Sequence, residues 1–100
     1  MNKSSKKLKD SEIKSKFLKI SEWNLNPKQT ELSKSFEFAS FVNGLAFVAK
    51  IAVHAEIMGH HPDIELSYGK VKVKLSTHDV KGLTVADFDL AKRIDNLRIS

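Results

Sequence analysis

The sequence contains no cysteine, and only four glycines and two prolines occur among its 100 residues. The absence of cysteine excludes disulfide bonds, zinc–thiolate sites and catalysis by a thiol. The scarcity of glycine and proline excludes collagen-like and low-complexity chains, while a hydrophobic content of 41% is too high for a fully disordered chain. We therefore expect a single globular domain, since 100 residues is a usual size for one.

Uninterrupted apolar runs are also short in this chain. The longest apolar stretch, residues 38–58, is broken by Lys50, His54 and Glu56, which argues against a membrane span of about 18 or more apolar residues. The N-terminus lacks the apolar segment that is typical of a signal peptide. These two features predict a cytoplasmic protein that does not associate with membranes.

The net charge of +5 comes from the first twenty residues. They hold seven lysines against Asp10 and Glu12, whereas the other eighty residues hold ten basic and ten acidic side chains. We interpret residues 1–9 as a basic, flexible N-terminal arm and residues 10–100 as the folded domain. The arm is expected to be a solvated tail; weak, non-specific contact with nucleic acid phosphates is the alternative.

The first part of the domain predicts a short helix and a β-hairpin. The helix extends from Asp10 to Lys19, with Asp10 or Ser11 as its N-cap. Trp23 and Leu25 alternate with polar neighbours before a turn at residues 26–29. The next strand has Leu32, Phe36 and Phe38 on one face and Ser33, Ser35 and Glu37 on the other.

A long helix is predicted after Ser40, which can act as its N-cap, and Gly59 and Pro62 are expected to end it. This helix carries two apolar stripes at helical spacing. We expect the first to cover the sheet and the second to contact another copy of the chain, because one domain of this size can hardly bury both. The first stripe comprises Phe41, Val42, Leu45, Val48, Ala49 and Ala52, and the second comprises Phe47, Ile51 and Met58.

Residues 63–75 predict a second hairpin, because apolar and polar residues alternate on both sides of Gly69-Lys70. A two-residue loop that begins with glycine is typical of a type II′ turn. The register set by this loop keeps the apolar residues on one face. It pairs Tyr68 with Val71, Leu66 with Val73 and Ile64 with Leu75.

The same register, continued beyond the strands, places His61 opposite His78. Residues that face each other across an antiparallel pair have Cβ atoms about 5 Å apart. The sequence therefore predicts that these two imidazoles meet at the open end of the hairpin.

The chain ends with a helix whose beginning is clearly marked. Thr84 and Asp87 have the spacing of a capping box, and Leu83 and Phe88 have the spacing of a hydrophobic staple. The order α-β-β-α-β-β-α predicts a single-domain α+β fold with a four-stranded antiparallel sheet covered by helices. The buried face of the last helix is expected to comprise Leu90, Ala91, Ile94 and Leu97.

Reactive side chains concentrate where the long helix meets the second hairpin, namely Glu56, His60, His61 and His78. Imidazoles gain and lose protons near neutral pH, so such a cluster is suited to acid–base catalysis. A zinc or nickel site built from the imidazoles and Glu56 is the alternative, although no second carboxylate is placed to complete it.

Two further polar residues need separate interpretation. Asp87 can be a helix cap alone or can also take part in the site. His54 stands alone on its helix, and we expect it to be an ordinary surface or core residue.

The pattern His60-His61-Pro62, five residues, Tyr68, nine residues, His78, eight residues and Asp87 resembles the signature of pterin-4a-carbinolamine dehydratases. In animals this family is also known as a dimerisation cofactor of a homeodomain transcription factor. The segments 75–79 and 82–84 fit the family as well, and so does Trp23. The resemblance covers residues 8–98.

The resemblance implies dehydration of 4a-hydroxytetrahydropterin to quinonoid dihydropterin, which recycles tetrahydrobiopterin for aromatic amino acid hydroxylases. It implies His61 as the principal acid/base, with His60 and His78 donating to or positioning the hydroxyl group, and Asp87 and Glu56 as substrate-binding residues. It also implies that neither a metal nor an organic cofactor is needed, and that the chain forms a homodimer or homotetramer. The alternative is a protein-binding or transcriptional coactivator module with little activity.

Overall fold

The computed structural model describes residues 6–98, in which three helices and one four-stranded antiparallel sheet follow each other in the order α-β-β-α-β-β-α. The predicted fold class is therefore confirmed. The strand order in the sheet is β1-β2-β4-β3, so the two hairpins are joined through β2 and β4. The elements are α1 (Asp10–Phe17), β1 (Asn24–Leu25), β2 (Leu32–Glu37), α2 (Phe41–Met58), β3 (Asp63–Ser67), β4 (Lys70–Leu75), a 3₁₀ turn (His78–Val80) and α3 (Val85–Leu97).

The core lies between the helices and one face of the sheet. Alternate residues of β2 and β4 point into it, while their neighbours on the opposite face are exposed or half-buried. This alternation follows from the period-two pattern of the strands, as predicted. The buried side chains include Leu32, Phe36, Val71, Val73 and Leu75 from the sheet and Ile13, Phe47, Ile51, Phe88, Leu90 and Ile94 from the helices.

The folded region begins earlier than the predicted boundary at residue 10. Leu8 is buried in the core, and its backbone N–H donates to the Leu83 carbonyl at 2.9 Å. The N-cap of α1 is Lys9 rather than Asp10 or Ser11, and the Lys9 N–H donates to Glu12 Oε1 at 2.8 Å. Residues 1–5 of the predicted arm lie outside the described residues.

Both predicted ends of α2 are confirmed. The Ser40 hydroxyl accepts a hydrogen bond from the Asn43 N–H at 3.1 Å, as expected of an N-cap. Gly59 adopts a left-handed conformation with φ of 63° and terminates the helix. The chain therefore leaves α2 in a fixed direction, and His60 and His61 follow immediately.

The predicted roles of the two stripes on α2 are wrong. The buried residues of this helix are Gly44, Phe47, Ile51 and Ala55, so the stripe that contains Phe47 and Ile51 covers the sheet. The sequence pattern was misleading because Gly44 and Ala55, which lie on the face that contacts the sheet, are small and contribute little to an apolar stripe. A Cβ atom at Gly44 would lie 3.0 Å from Leu66 Cδ1, which shows how closely the helix approaches the sheet.

The other stripe is largely exposed to solvent. Phe41, Val42 and Leu45 of this stripe are exposed by 44% or more of their surface, and so are Val53 and Ile57, which neither predicted stripe included. Helix α2 is also long and apolar enough to cross a membrane, alone among the helices in this part of the chain. Interruption by Lys50 and Glu56 therefore does not by itself exclude a span, although many core helices meet the same criterion and Ile51 is part of the core here.

The predicted register of the second hairpin is wrong by two residues. The two-residue loop is Tyr68-Gly69, with Gly69 second and at φ of 77°. Leu66 therefore pairs with Val71, and Ile64 pairs with Val73. Tyr68 lies in the loop and is exposed instead of pairing on the apolar face. Because the shift is an even number, the other apolar residues remain on the predicted face.

Candidate active site

The three predicted histidines lie where α2, β3, β4 and α3 come together. Gly59 ends α2 and directs His60 and His61 toward the start of β3. His78 begins the 3₁₀ turn that follows β4, and Asp87 lies in the first turn of α3. The site is therefore assembled from the ends of four elements.

His60 is paired with Asp87. The His60 Nε2 atom lies 2.6 Å from Asp87 Oδ1, and the Asp87 side chain is fully buried, with 0% of its surface exposed. The other carboxylate oxygen, Oδ2, accepts from the Thr84 N–H at 2.9 Å and from the Thr77 hydroxyl at 2.7 Å. An ionised carboxylate only accepts, so with Asp87 in that form the hydrogen of this bond belongs to His60 Nε2, and Nδ1 of a neutral His60 ring is then an acceptor.

Asp87 contacts both the helix terminus and the predicted histidine cluster. Its bond to the Thr84 N–H satisfies a backbone donor at the beginning of α3, which confirms the predicted capping box. Its bond to His60 fixes one imidazole of the predicted cluster.

His61 is paired with a second carboxylate. Its Nε2 atom lies 2.5 Å from Glu56 Oε2, and Glu56 stands near the C-terminal end of α2. The His61 side chain is 61% exposed, in contrast to 13% for His60. Of these two neighbouring imidazoles, His61 is the one that a molecule from solvent can reach more easily.

His78 faces a carboxylate that the sequence interpretation missed. Its Nε2 atom lies 4.0 Å from Asp63 Oδ2, which is close enough for electrostatic attraction but too long for a hydrogen bond. Both side chains are exposed. The position of Asp63 directly after Pro62 was the available signal, since it places a carboxylate at the first position of β3 near the histidines.

The predicted contact between His61 and His78 does not follow from the observed register. Continued beyond the strands, that register aligns His61 with Ser76. His60 and His78 are instead connected through Asp87 and Thr77. Thr77, the residue before His78, donates a hydrogen bond to the Asp87 carboxylate, which also binds His60.

His54 lies outside this group. Its Nδ1 atom is 3.2 Å from a guanidinium nitrogen of Arg93, farther along the contact between α2 and α3. Its interpretation as an ordinary residue away from the site agrees with this placement.

The site contains three imidazole–carboxylate pairs, of which two are exposed and the His60–Asp87 pair is largely buried. Within residues 6–98, no three histidine, aspartate or glutamate side chains are grouped in a way that could hold a metal ion. Surface cavities of about 380 and 440 Å³ occur elsewhere, one beside Phe38 and Lys50 and the other beside Lys34 and Asp95. The three pairs can exchange protons with a bound molecule, which is the chemistry of general acid–base catalysis.

Comparisons with known proteins identify relatives of similar length. A protein from Trichormus variabilis is 47% identical over 90 residues, which are 90% of this chain and 95% of the relative. A protein from Roseiflexus castenholzii is 43% identical over 90 residues, again 90% of this chain and 95% of the relative. Both carry the name "putative pterin-4-alpha-carbinolamine dehydratase".

Solved structures share the fold. A transcriptional coactivator/pterin dehydratase from Brucella melitensis has a TM-score of 0.86 and 28% identity, covering 92% of this chain and 98% of that one. A pterin dehydratase-like protein, identified as a RuBisCO assembly factor in the alpha-carboxysome, has a TM-score of 0.66 and 29% identity, covering 78% and 90%.

The match to a family of proteins extends over nearly all of the described chain. Residues 6–97 fit the family described as pterin 4 alpha carbinolamine dehydratase. This range includes every histidine and carboxylate of the candidate site. The chain therefore belongs to the pterin-4a-carbinolamine dehydratase family.

Proposed function

We propose that this protein dehydrates a 4a-hydroxytetrahydropterin to the quinonoid dihydropterin and thereby recycles tetrahydrobiopterin in the cytoplasm. The observation that carries the proposal is the set of imidazole–carboxylate pairs at one site in a member of this family. The reaction needs proton transfers only, and imidazoles are the side chains best suited to them near neutral pH.

The reaction breaks the bond between C4a and its hydroxyl oxygen. That oxygen must receive a proton in order to leave as water, and the adjacent ring nitrogen must lose its proton as the new carbon–nitrogen double bond forms. One acid and one base on a bound pterin complete this exchange. Catalysis of this kind contributes about 10²–10⁴-fold to the rate.

We assign the principal acid/base role to His61. It is exposed to solvent and its Nε2 is held by Glu56, so its other ring nitrogen can exchange a proton with substrate. His60 and His78 are proposed to donate to or position the leaving hydroxyl. Asp87 supports this by holding His60, and Glu56 is the proposed contact to the pterin.

The test is a turnover assay with chemically generated 4a-hydroxytetrahydropterin. The protein is expected to accelerate dehydration above the spontaneous rate, and to do so equally after treatment with a metal chelator. Equal rates are expected because each proposed proton transfer uses an imidazole. No acceleration would refute the proposed function. A rate lost on chelation and restored by zinc would refute the metal-free mechanism.

A second candidate function is protein binding with little catalysis. The exposed apolar face of α2 favours it, since such a face is available to a partner. Two of the structural relatives have names that also indicate protein binding, one as a transcriptional coactivator and one as a RuBisCO assembly factor.

The lysine-rich N-terminus offers a test of one form of this alternative. Retention on DNA that weakens with salt and disappears in a Lys3→Ala/Lys6→Ala variant would favour contact with nucleic acid. Deletion of residues 1–9 is a poorer test, because it would also remove the buried Leu8.

A further inference from the structure

Thr77 lies between the His60–Asp87 pair and His78. Its hydroxyl oxygen lies 2.7 Å from Asp87 Oδ2 and 2.9 Å from the hydroxyl oxygen of Thr84. Its backbone pairs with Gly82, with Thr77 N–H donating to the Gly82 carbonyl at 2.8 Å. That pairing closes the short loop on which His78 stands. Thr77 thus binds Asp87, the partner of His60, and also closes the loop that contains His78.

The hydroxyl hydrogens of Thr77 and Thr84 can be assigned from the acceptors that surround them. The Asp87 carboxylate only accepts, so Thr77 must give its single hydroxyl hydrogen to Oδ2. Thr77 Oγ1 can then only accept from Thr84, whose hydroxyl hydrogen points toward it. The result is a directed series of hydrogen bonds from Thr84 through Thr77 to Asp87.

This series determines how Asp87 faces His60. Oδ2 is held by two donors, the Thr77 hydroxyl and the Thr84 N–H, which leaves Oδ1 directed at His60 Nε2. Thr84 and Asp87 are both fully buried, so water cannot replace a missing donor without a change in packing. The hydroxyl of Thr77 is therefore one of the two donors that keep the carboxylate in this orientation, and the shorter of the two contacts.

We propose that Thr77 is a positioning residue, whose hydroxyl orients the Asp87 carboxylate so that His60 keeps its hydrogen on Nε2 and presents Nδ1 to substrate. The catalytic part of this inference rests on the proposed dehydratase function. The structural part, the tautomer of His60, does not.

The experiment compares Thr77→Val with Thr77→Ser in the full chain. Valine keeps the shape of threonine but removes the hydroxyl, whereas serine retains it. Imidazole ¹⁵N NMR, with the His60 signals identified by a His60→Gln variant, reports the tautomer. The wild type and Thr77→Ser are expected to hold one tautomer, hydrogen on Nε2. Thr77→Val is expected to populate both tautomers and to lower kcat about tenfold, with KM near the wild-type value.

Ile94→Val is the matched control, because it loosens the core on α3 without touching the hydrogen-bonded group. It should leave the His60 tautomer and kcat unchanged. If Thr77→Val does not fold, as judged by circular dichroism, Thr77→Ala provides the same comparison.

Each remaining result decides one part of the inference. A single Nε2–H tautomer without the Thr77 hydroxyl, or mixed tautomers in Ile94→Val, would overturn the positioning role. Mixed tautomers with full turnover in Thr77→Val would overturn its importance for catalysis. Absence of turnover in the wild type would refute the dehydratase proposal, while the NMR comparison would still decide whether Thr77 orients Asp87.

Discussion

Asp87 shows how one side chain can serve both the fold and the site. As the third residue of α3 it accepts from the Thr84 N–H, and through its other oxygen it holds His60. A carboxylate whose second oxygen already accepts from the Thr84 N–H and the Thr77 hydroxyl has little freedom to turn away from an imidazole. The side chain that caps the first turn of α3 therefore also holds an imidazole of the candidate site.

Replacement of the proposed principal acid/base should separate activity from folding. His61→Ala is expected to lower kcat by about 10²–10⁴-fold, the usual contribution of a general acid or base. The fold should persist, because the His61 side chain is exposed and lies outside the core. A turnover assay together with circular dichroism checks both expectations.

The control for this variant is His54→Ala, on the same helix as Glu56. His54 contacts Arg93 at 3.2 Å and makes no contact with the three pairs, so turnover should stay near the wild-type rate. A loss comparable to that of His61→Ala would mean that the site has been placed wrongly.

Asp87→Asn should affect stability as well as activity. An amide has one accepting oxygen where the carboxylate has two, so one of the groups now bonded to Asp87 would lose its acceptor. An unsatisfied buried polar group costs about 1–3 kcal/mol, and the free energy of unfolding in denaturant should fall by that amount. Turnover should fall too, because His60 loses its fixed partner.

Asp89→Asn, two residues farther along α3 and exposed, is the matched control. It should change the free energy of unfolding by no more than about 0.5 kcal/mol. Equal stability of Asp87→Asn and Asp89→Asn would contradict the network described around Asp87.

Among the secondary-structure elements, the end of α2 places the histidines. Gly59 adopts φ of 63°, and a Cβ atom there would meet no other atom within 4 Å. Any penalty for a side chain is therefore conformational and not steric. Gly59→Ala should lower the free energy of unfolding by about 1–2 kcal/mol, the usual cost of a left-handed conformation.

Gly59→Asn provides the comparison for this prediction, because asparagine tolerates the left-handed conformation better than alanine. Its loss of stability in thermal or denaturant unfolding should be smaller. If alanine and asparagine destabilise equally, the positive φ of Gly59 is not the reason that glycine occupies this position.

The ends of α2 and the beginning of α3 could be predicted from sequence because their signals are local. Ser40, Gly59 and the pair Thr84 and Asp87 mark helix ends by interactions within a few residues. The register of the second hairpin could not be predicted in this way. Moving the loop from Gly69-Lys70 to Tyr68-Gly69 shifts the pairing by two, and both registers leave the same alternation of apolar residues.

The contacts within the candidate site, like the hairpin register, could not be predicted from local sequence patterns. The spacing of His60, His61, His78 and Asp87 could be recognised in the sequence, but their contacts depend on tertiary structure. The carboxylate that faces His78 is Asp63, and the hydroxyl that supports Asp87 comes from Thr77. Those contacts depend on hairpin register and on the approach of α3, which no local pattern encodes.

For the whole molecule, the exposed apolar face of α2 is the feature that packing within one chain does not account for. Five large apolar side chains on one helix form a patch that monomeric proteins rarely leave in water. A second copy of the same helix is a suitable cover, since a twofold axis pairs a surface with itself. We therefore propose a homodimer or homotetramer that is formed through Val42, Leu45, Val53 and Ile57, and not through Ile51 as the sequence suggested.

Two glutamate variants on α2 distinguish this interface from the core. Val53→Glu places a charge on the exposed face, so it should dissociate the oligomer while the helical circular dichroism remains, because burial of an unpaired carboxylate is unfavourable. Ile51→Glu places the same charge in the core, where the side chain is fully buried, and it should unfold the chain. Light scattering measures the mass of each. A wild-type mass near 11.3 kDa at micromolar concentration would refute the proposed assembly, and so would an unchanged oligomer in Val53→Glu.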